Sequence, residues 1–342
     1  MMILRPIRAS DLGQLEQLAR EAGVGMTSLP ANSLVLKQKI EASLQGFSSK
    51  GQEPGNESYL FVLEDLATGQ IVGTSGIVVA VGGSKPFYSY KLSTLVHTSE
   101  ALKIHKEIKA LHLVNDYQGV SEICTLFLTA AYRKGGNGKL LSRARFLFMA
   151  EFPERFAKTV IAEMRGVQNQ EGRSPFWRNL GRHFFEMDFS KADYLTATGN
   201  KQFISDLMPR YPIYVPLLPP EAQAVIGVVH QATEPALNML EKEGFQFEGY
   251  VDIFDGGPTI QAYRDQIRTI RESSRGIVKD IRPNLNSETF LISNTQLKFQ
   301  VCLGNLHQEE DGTVQITPDV ATAMQLAPGD PVRFIPFRMG SQ

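Results

Sequence analysis

The sequence predicts an α+β fold, a mixed sheet flanked by helices with a small β-rich appendage at the C-terminal end. Three observations carry this expectation. Strongly apolar, β-branched runs occur at YLFVLED (59–65), QIVGTSGIVVAV (70–81) and Glu122 to Thr129. Between them lie segments with apolar residues at helical spacing, Leu12, Leu15, Leu18 and Ala19, then Leu140, Leu141, Ala144, Leu147 and Phe148. From about Ser287 helical spacing gives way to short strand-like runs, TFLISN, LKFQVCLGNL, TVQIT and VRFIPF.

In chain order, a strand from Ile3 to Ile7 leads into a helix for which Ser10-Asp11 supplies the N-cap. A second helix is expected over Ser33 to Leu44. The linker between them, 23–32 (GVGMTSLPAN), is rich in Gly, Pro and small polar residues and could line a site. The turn LATG joins the next two runs into a hairpin. A variable stretch with Phe87, Tyr88 and Tyr90 precedes the apolar strand Glu122 to Thr129. After that strand come Arg133-Lys134-Gly135-Gly136-Asn137-Gly138 and an amphipathic helix, with Lys139, Ser142, Arg143 and Arg145 expected off its apolar stripe. A strand TVIAEMRG (159–166) and helical SPFWRNLGRHFF (174–185) follow. At the end of the Pro-rich stretch 208–223, a helix is expected from Pro220 to His230. The passage LEKEGFQFEGYVDIF then echoes NLGRHFFEMDF at 179–189, which suggests a duplicated half. The expected units are 1–190, 191–280 and 281–342.

A chain of 342 residues exceeds an average single domain. Its 42% apolar and 21% charged content is that of an ordinary folded protein. Thirty-five basic residues nearly balance thirty-six acidic ones, so no global field draws the chain to nucleic acid or an anionic membrane, and any phosphate binding is local. No run of eighteen apolar residues and no signal-like N-terminus occurs, so membrane spanning and secretion are not expected. The two cysteines, Cys124 and Cys302, sit far apart in apolar runs, which reads as reduced thiols in the cytoplasm. No His/Cys/carboxylate cluster has ligand spacing, so no metal is expected.

The glycine turn carries the chemistry. Glycines admit positive φ and close approach of a ligand, while the free N–H groups of a first helical turn favour an anion such as pyrophosphate. A plain strand-to-helix turn is the competing reading. No Gly-Lys-Ser/Thr closes the turn as in a Walker loop, and the glycines are too few for a dinucleotide fingerprint. Arg-x-x-Gly-x-Gly, with Arg133, Gly136 and Gly138, resembles the coenzyme A pyrophosphate motif of the GNAT superfamily of acyl-CoA N-acyltransferases. The order of elements over roughly 1–190 is similar to that superfamily's. The resemblance implies two central strands that splay apart, and a backbone N–H on the first, at Leu126, that meets the thioester carbonyl.

A more specific resemblance covers nearly the whole chain. TSLPAN (27–32), TLVH (94–97), CTLFL (124–128), AEMRGV (162–167), SPFW (174–177), DLMPRYPIY (206–214), VHQATEPA (229–236), LEKEGF (240–245) and DIFDGGPT (252–259) resemble the arginine N-succinyltransferase family. This implies transfer of succinyl from succinyl-CoA, a co-substrate rather than a permanently bound cofactor, to the α-amine of L-arginine, the first step of arginine degradation by that route. It implies His230 as proton donor, and a homo- or hetero-oligomer, since some bacteria pair two related chains.

A lone histidine after an apolar helix is by itself more often structural than catalytic, but a helix C-terminus would favour its imidazolium. Glu163, Asp252, Asp255 and Asp116 are candidates for the acceptor's guanidinium, with surface or turn carboxylates as the commoner explanation. Arg165 is a candidate for the succinyl carboxylate, and Ser28 for the acceptor side. The alternatives are an acyltransferase for another small amine such as ornithine, and a non-catalytic partner subunit.

Overall fold

The computed structural model describes residues 1–23, 26–49, 51, 53–83, 85–169, 171–197, 202–285 and 287–337. Its strands are β1 (Met2–Pro6), β2 (Ser58–Asp65), β3 (Gln70–Val78), β4 (Ser89–Ser99), β5 (Ile104–Val114), β6 (Ser121–Leu128), β7 (Thr159–Glu163) and β8 (Ile213–Tyr214), followed by β9 (Gln246–Val251), β10 (Pro258–Tyr263), β11 (Ser274–Ile281), β12 (Thr289–Asn294), β13 (Val301–Gln308), β14 (Thr313–Ile316) and β15 (Pro331–Pro336). The longer helices are α1 (Leu12–Ala22), α2 (Ser33–Ser48) and α3 (Asn137–Glu151). Shorter ones are α4 (Pro175–Asn179), α5 (Gly181–Phe185), α6 (Phe189–Ala197), α7 (Gln202–Leu207), α8 (Pro220–Gln223), α9 (Glu234–Glu241), α10 (Arg268–Glu272) and α11 (Pro318–Met324).

All described strands join one sheet in the order β12-β15-β11-β14-β13-β1-β2-β3-β6-β7-β10-β9-β4-β5-β8. Alternation along β2 sorts its side chains: Leu60 and Val62 face α1 and α2 with Ile7, Leu15 and Leu36, while Tyr59, Phe61 and Leu63 face α3. On the α3 side the Phe148 ring sits 4.8 Å from Tyr59 and 5.4 Å from Phe61, centroid to centroid, edge on. The mixed sheet with flanking helices is the fold expected from the sequence. Strands β8, β9 and β10, from the stretch between 190 and 280, hydrogen-bond onto β5, β4 and β7 of that sheet. Strand β13 joins it through β1, with Ile3 opposite Cys302.

Asn32 caps α2, its side chain accepting the Val35 N–H at 3.1 Å. Asp11 differs from expectation: it makes no side-chain bond onto α1 and instead accepts the Arg8 N–H at 2.7 Å and pairs with Arg5 at 2.7 Å. Residues 89–114, read from sequence as a variable stretch, form a long hairpin paired from Ser89↔Val114 to Ser99↔Ile104. Apart from the half-buried pair Leu95 and Ile108, its outer half is polar or exposed on both faces, so the period-2 pattern that marks a half-buried strand is missing there.

Helix α3 also departs from its amphipathic reading. Ser142, Arg143 and Arg145 are buried with the apolar stripe, because α3 is packed against the sheet on one side and against α10 and the C-terminal strands on another. The expected helix from Pro220 to His230 ends at Gln223, followed by turns and an isolated bridge between Val229 and Gly166. The sequence echo is structural in one half only: α9 leads into β9, whereas 179–189 runs from α5 into α6.

Candidate active site

Strands β6 and β7 are parallel neighbours, yet they pair only at Ser121↔Val160 and Glu122↔Ile161 and then part. At the level where they part, β6 is bulged. Thr74 pairs with Phe127 and Gly76 with Cys124, so Ser75 of β3 faces both Thr125 and Leu126, and Thr125 is driven to φ +54°. Beyond the bulge the Thr129 N–H donates to Val72 O at 2.9 Å, which turns Phe127 and Thr129 towards β3. By alternation the backbone groups of Leu128 and Leu126 then turn to the other edge, into the opening beside β7. Arg133 Nε donates to Leu128 O at 2.9 Å there, at the outer end of that edge.

The glycine turn closes β6 onto α3. Gly135 and Gly136 have φ +62° and +81°, conformations that exclude ordinary side chains, and Gly136 is the N-cap of α3. A Cβ on Gly136 would also stand 2.7 Å from the Phe337 ring. Gly138 is different: its φ is ordinary and no atom lies within 4 Å of where a Cβ would be. Asn137 Nδ2 donates to Tyr132 O at 3.0 Å and holds the turn shut behind the helix start. The first turn of α3 thus stands beside an open glycine, at the end of β6 where the opening begins, with the Asn137 N–H turned back onto Lys134 O at 3.2 Å.

On the far side of the opening the end of β7 is fastened to two loops. The His230 N–H donates to Arg165 O at 2.8 Å, and Asp255 takes the Gly166 N–H at 2.7 Å and the Gly257 N–H at 2.8 Å. The Gly227 N–H completes the lock on Gly256 O at 2.8 Å. Asp252 accepts the N–H groups of Phe254 and Asp255 at 2.7 and 2.8 Å. Burial raises the pKa of both carboxyls, and for Asp255 the neighbouring Asp252 charge adds to it. The structure therefore makes Asp252 and Asp255 the bolt of this loop, while Asp116 accepts the Tyr250 hydroxyl at 2.9 Å.

His230 does not end a helix. It is the N-cap of a short 3-10 turn, Gln231–Thr233, that leads into α9, and its Nδ1 accepts the Ala232 N–H at 3.1 Å. Burial lowers its pKa, and the Arg165 charge lowers it further, the reverse of the helix-C-terminal argument. A neutral ring with Nδ1 occupied carries its proton on Nε2.

The structure brings Leu126, Arg133, Gly136 and Gly138 to one edge of the opening and Arg165 and His230 to the other. Arg165 is half-buried, its Nη2 donating to Gln168 Oε1 at 2.9 Å. Glu163, the last residue of β7, is exposed, and Ser28 lies half-buried in the α1–α2 linker, whose Val24 and Gly25 fall outside the described residues. Two features had no sequence signal: the bulge, which a register shift creates, and the Asp255 bolt, which joins positions 89 apart in the chain. Among the described residues no group of His, Cys, Asp and Glu could hold a metal, and no helix is long and apolar enough to cross a membrane.

Comparison with known proteins is extensive. A family model described as the arginine N-succinyltransferase beta subunit matches residues 2–269, and one for that subunit's C-terminal domain matches 275–336. A curated arginine N-succinyltransferase of Yersinia pestis (strain Pestoides F) is 47% identical over 343 residues, covering 98% of this chain and 97% of that protein. The arginine N-succinyltransferase subunit beta of Pseudomonas aeruginosa is 49% identical over 336 residues, 98% of each chain. A solved structure, arginine/ornithine succinyltransferase subunit AI from Pseudomonas aeruginosa, superposes with a TM-score of 0.90 at 38% identity over 98% of both chains.

Proposed function

As a member of the arginine N-succinyltransferase family, this chain is an acyltransferase, and we propose that it moves succinyl from succinyl-CoA to the α-amine of L-arginine. The observation that carries this reading is near-full-length identity to arginine N-succinyltransferases in a chain whose glycine turn is intact and open at Gly138. The reaction needs a pyrophosphate cradle, an oxyanion donor and a route for protons. The cradle is the α3 N-terminus with Gly136 and Gly138, with Arg133 holding the strand end beside it. The Leu126 N–H, at the bulge, takes the thioester oxygen as it becomes an oxyanion.

The α-ammonium of arginine sheds two protons in becoming the amide. One leaves to solvent and the other restores the proton that His230, as the imidazolium, gives to the coenzyme A sulfur through Nε2. Arg165 and Glu163, at the end of β7, and Ser28 in the α1–α2 linker lie on the acceptor side. Succinyl-CoA is a co-substrate rather than a resident cofactor. The enzyme opens arginine degradation by the succinyltransferase route, in the cytoplasm, where free Cys124 and Cys302 stay reduced. It works as an oligomer of one chain or of two related chains.

The test is release of free coenzyme A by the purified chain, with succinyl-CoA or acetyl-CoA as donor and L-arginine, L-ornithine or no acceptor. Release that needs arginine, prefers succinyl-CoA and falls roughly 100-fold or more in His230→Ala supports the reading, in line with the usual worth of a general acid. Absence of release with every pair would make the chain a non-catalytic partner.

A further inference from the structure

Arg145 is 1% exposed and lies within α3, about two turns beyond the glycine cradle. Its Nε donates to Ser142 O at 3.1 Å and its Nη2 to Ser142 Oγ at 3.0 Å. Its Nη1 reaches Cys124 O only at 3.4 Å. None of these acceptors is a carboxylate, and no described carboxylate forms an ion pair with Arg145. Of the three other buried arginines, Arg143 lies 3.3 Å from Glu243 and Arg5 pairs with Asp11 and Glu64, while Arg155 donates to the Tyr59 hydroxyl and to Ser49 O, far from the opening between β6 and β7. A guanidinium taken out of water without a counter-charge is costly, and such groups are held where a ligand supplies the missing charge. Burial pushes Arg145 down to about 10, which leaves it cationic at neutral pH.

The position fits one part of the donor. With the pyrophosphate at the α3 N-terminus, coenzyme A runs inward along β6 from its C-terminal end, and the thioester reaches Leu126. The acyl chain then continues towards Cys124, at the inner end of the opening where β6 and β7 meet. A strand rises about 3.3 Å per residue and the bulge at Thr125 shortens it, so Cys124 lies at most about 7 Å beyond Leu126, within the reach of a four-carbon diacid chain and one hydrogen bond. We propose that Arg145 is the donor-specificity residue, its guanidinium receiving the distal carboxylate of the succinyl group. The inference rests on the succinyl-CoA reading above.

The test compares succinyl-CoA with butyryl-CoA, which matches its chain length without the carboxylate, in the unaltered enzyme and in Arg145→Met and Arg145→Lys. Expected is a fall of about 100-fold in kcat/KM for succinyl-CoA in Arg145→Met, a smaller fall in Arg145→Lys, and less than about fivefold change with butyryl-CoA, as for loss of one charge-assisted contact. Equal losses with both donors, or preserved preference for succinyl-CoA, would overturn it. If the unaltered enzyme itself does not prefer succinyl-CoA, the donor assignment fails first. Should the variants not fold, a crystal structure of the unaltered enzyme with the unreactive thioether analogue of succinyl-CoA decides. The carboxylate within hydrogen-bond distance of Arg145 upholds the inference, and the carboxylate on Arg165 or in solvent sinks it.

Discussion

His230 shows how a neighbour decides the state of a titrating group. Its backbone is tied to Arg165 O and its Nδ1 to the Ala232 N–H, so the ring is fixed at both ends before any substrate arrives. Burial and the Arg165 charge both disfavour the imidazolium, placing the folded-state pKa below the ordinary 6.5. The neutral ring therefore persists to lower pH than in a free histidine. The donor form is the imidazolium, so the limb along which kcat/KM for arginine falls as pH rises should lie below that ordinary value and move up towards it in Arg165→Gln. A pH–rate profile checks this, and a limb above 6.5 in the unaltered enzyme would contradict it. The histidine was legible from sequence through its place in VHQATEPA, but the sign of its shift was not, because that sign depends on a turn and on an arginine 65 positions away.

At the scale of an element, the glycine turn separates two kinds of glycine. Gly136 is required by the fold: it sits at φ +81° and its missing Cβ makes room for Phe337. Gly136→Ala should cost about 2 kcal/mol from the left-handed conformation, before any displacement of the ring. Gly138 meets neither constraint. Gly138→Ala should leave the melting temperature within about 1 °C while raising KM for succinyl-CoA, because only a ligand at the helix start would touch the new methyl. Thermal melts and KM on the two variants give the answer, and a Gly138→Ala enzyme of unchanged KM would move the phosphates elsewhere. The spacing Arg133, Gly136 and Gly138 was readable as a motif. Which glycine serves the fold was not, since the answer depends on a ring about 200 positions further along.

Across the whole molecule, the C-terminal strands are built onto the glycine turn and α3. Strand β13 pairs with β1, Phe337 packs on the glycine turn, and Glu151, at the end of α3, holds both Arg275 and Arg333, the latter at 2.9 Å. The Glu151 side chain is 3% exposed, so its removal strands two cations, one of them nearly buried. Glu151→Ala should lower unfolding stability by about 3 kcal/mol, measured by denaturant titration. A change under about 0.5 kcal/mol would mean that strand pairing alone secures the C-terminal strands. The sequence marks this region as a β appendage but carries no trace of its contact with α3.

What the sequence determined by itself is local or cumulative. Period-2 and helical spacing set most elements, Gly-rich spacing set the turn from β6 into α3, and many short matching strings set the family, because each depends on residues near one another in the chain. Tertiary structure alone decided the rest: the bulge that turns the Leu126 amide into the opening, the burial of Arg143 and Arg145 on a helix read as amphipathic, the downward shift of the His230 pKa, and the long β4–β5 hairpin. Each arises from contacts between distant segments, and register, burial and charge are properties of the packed neighbours rather than of the residue that carries them.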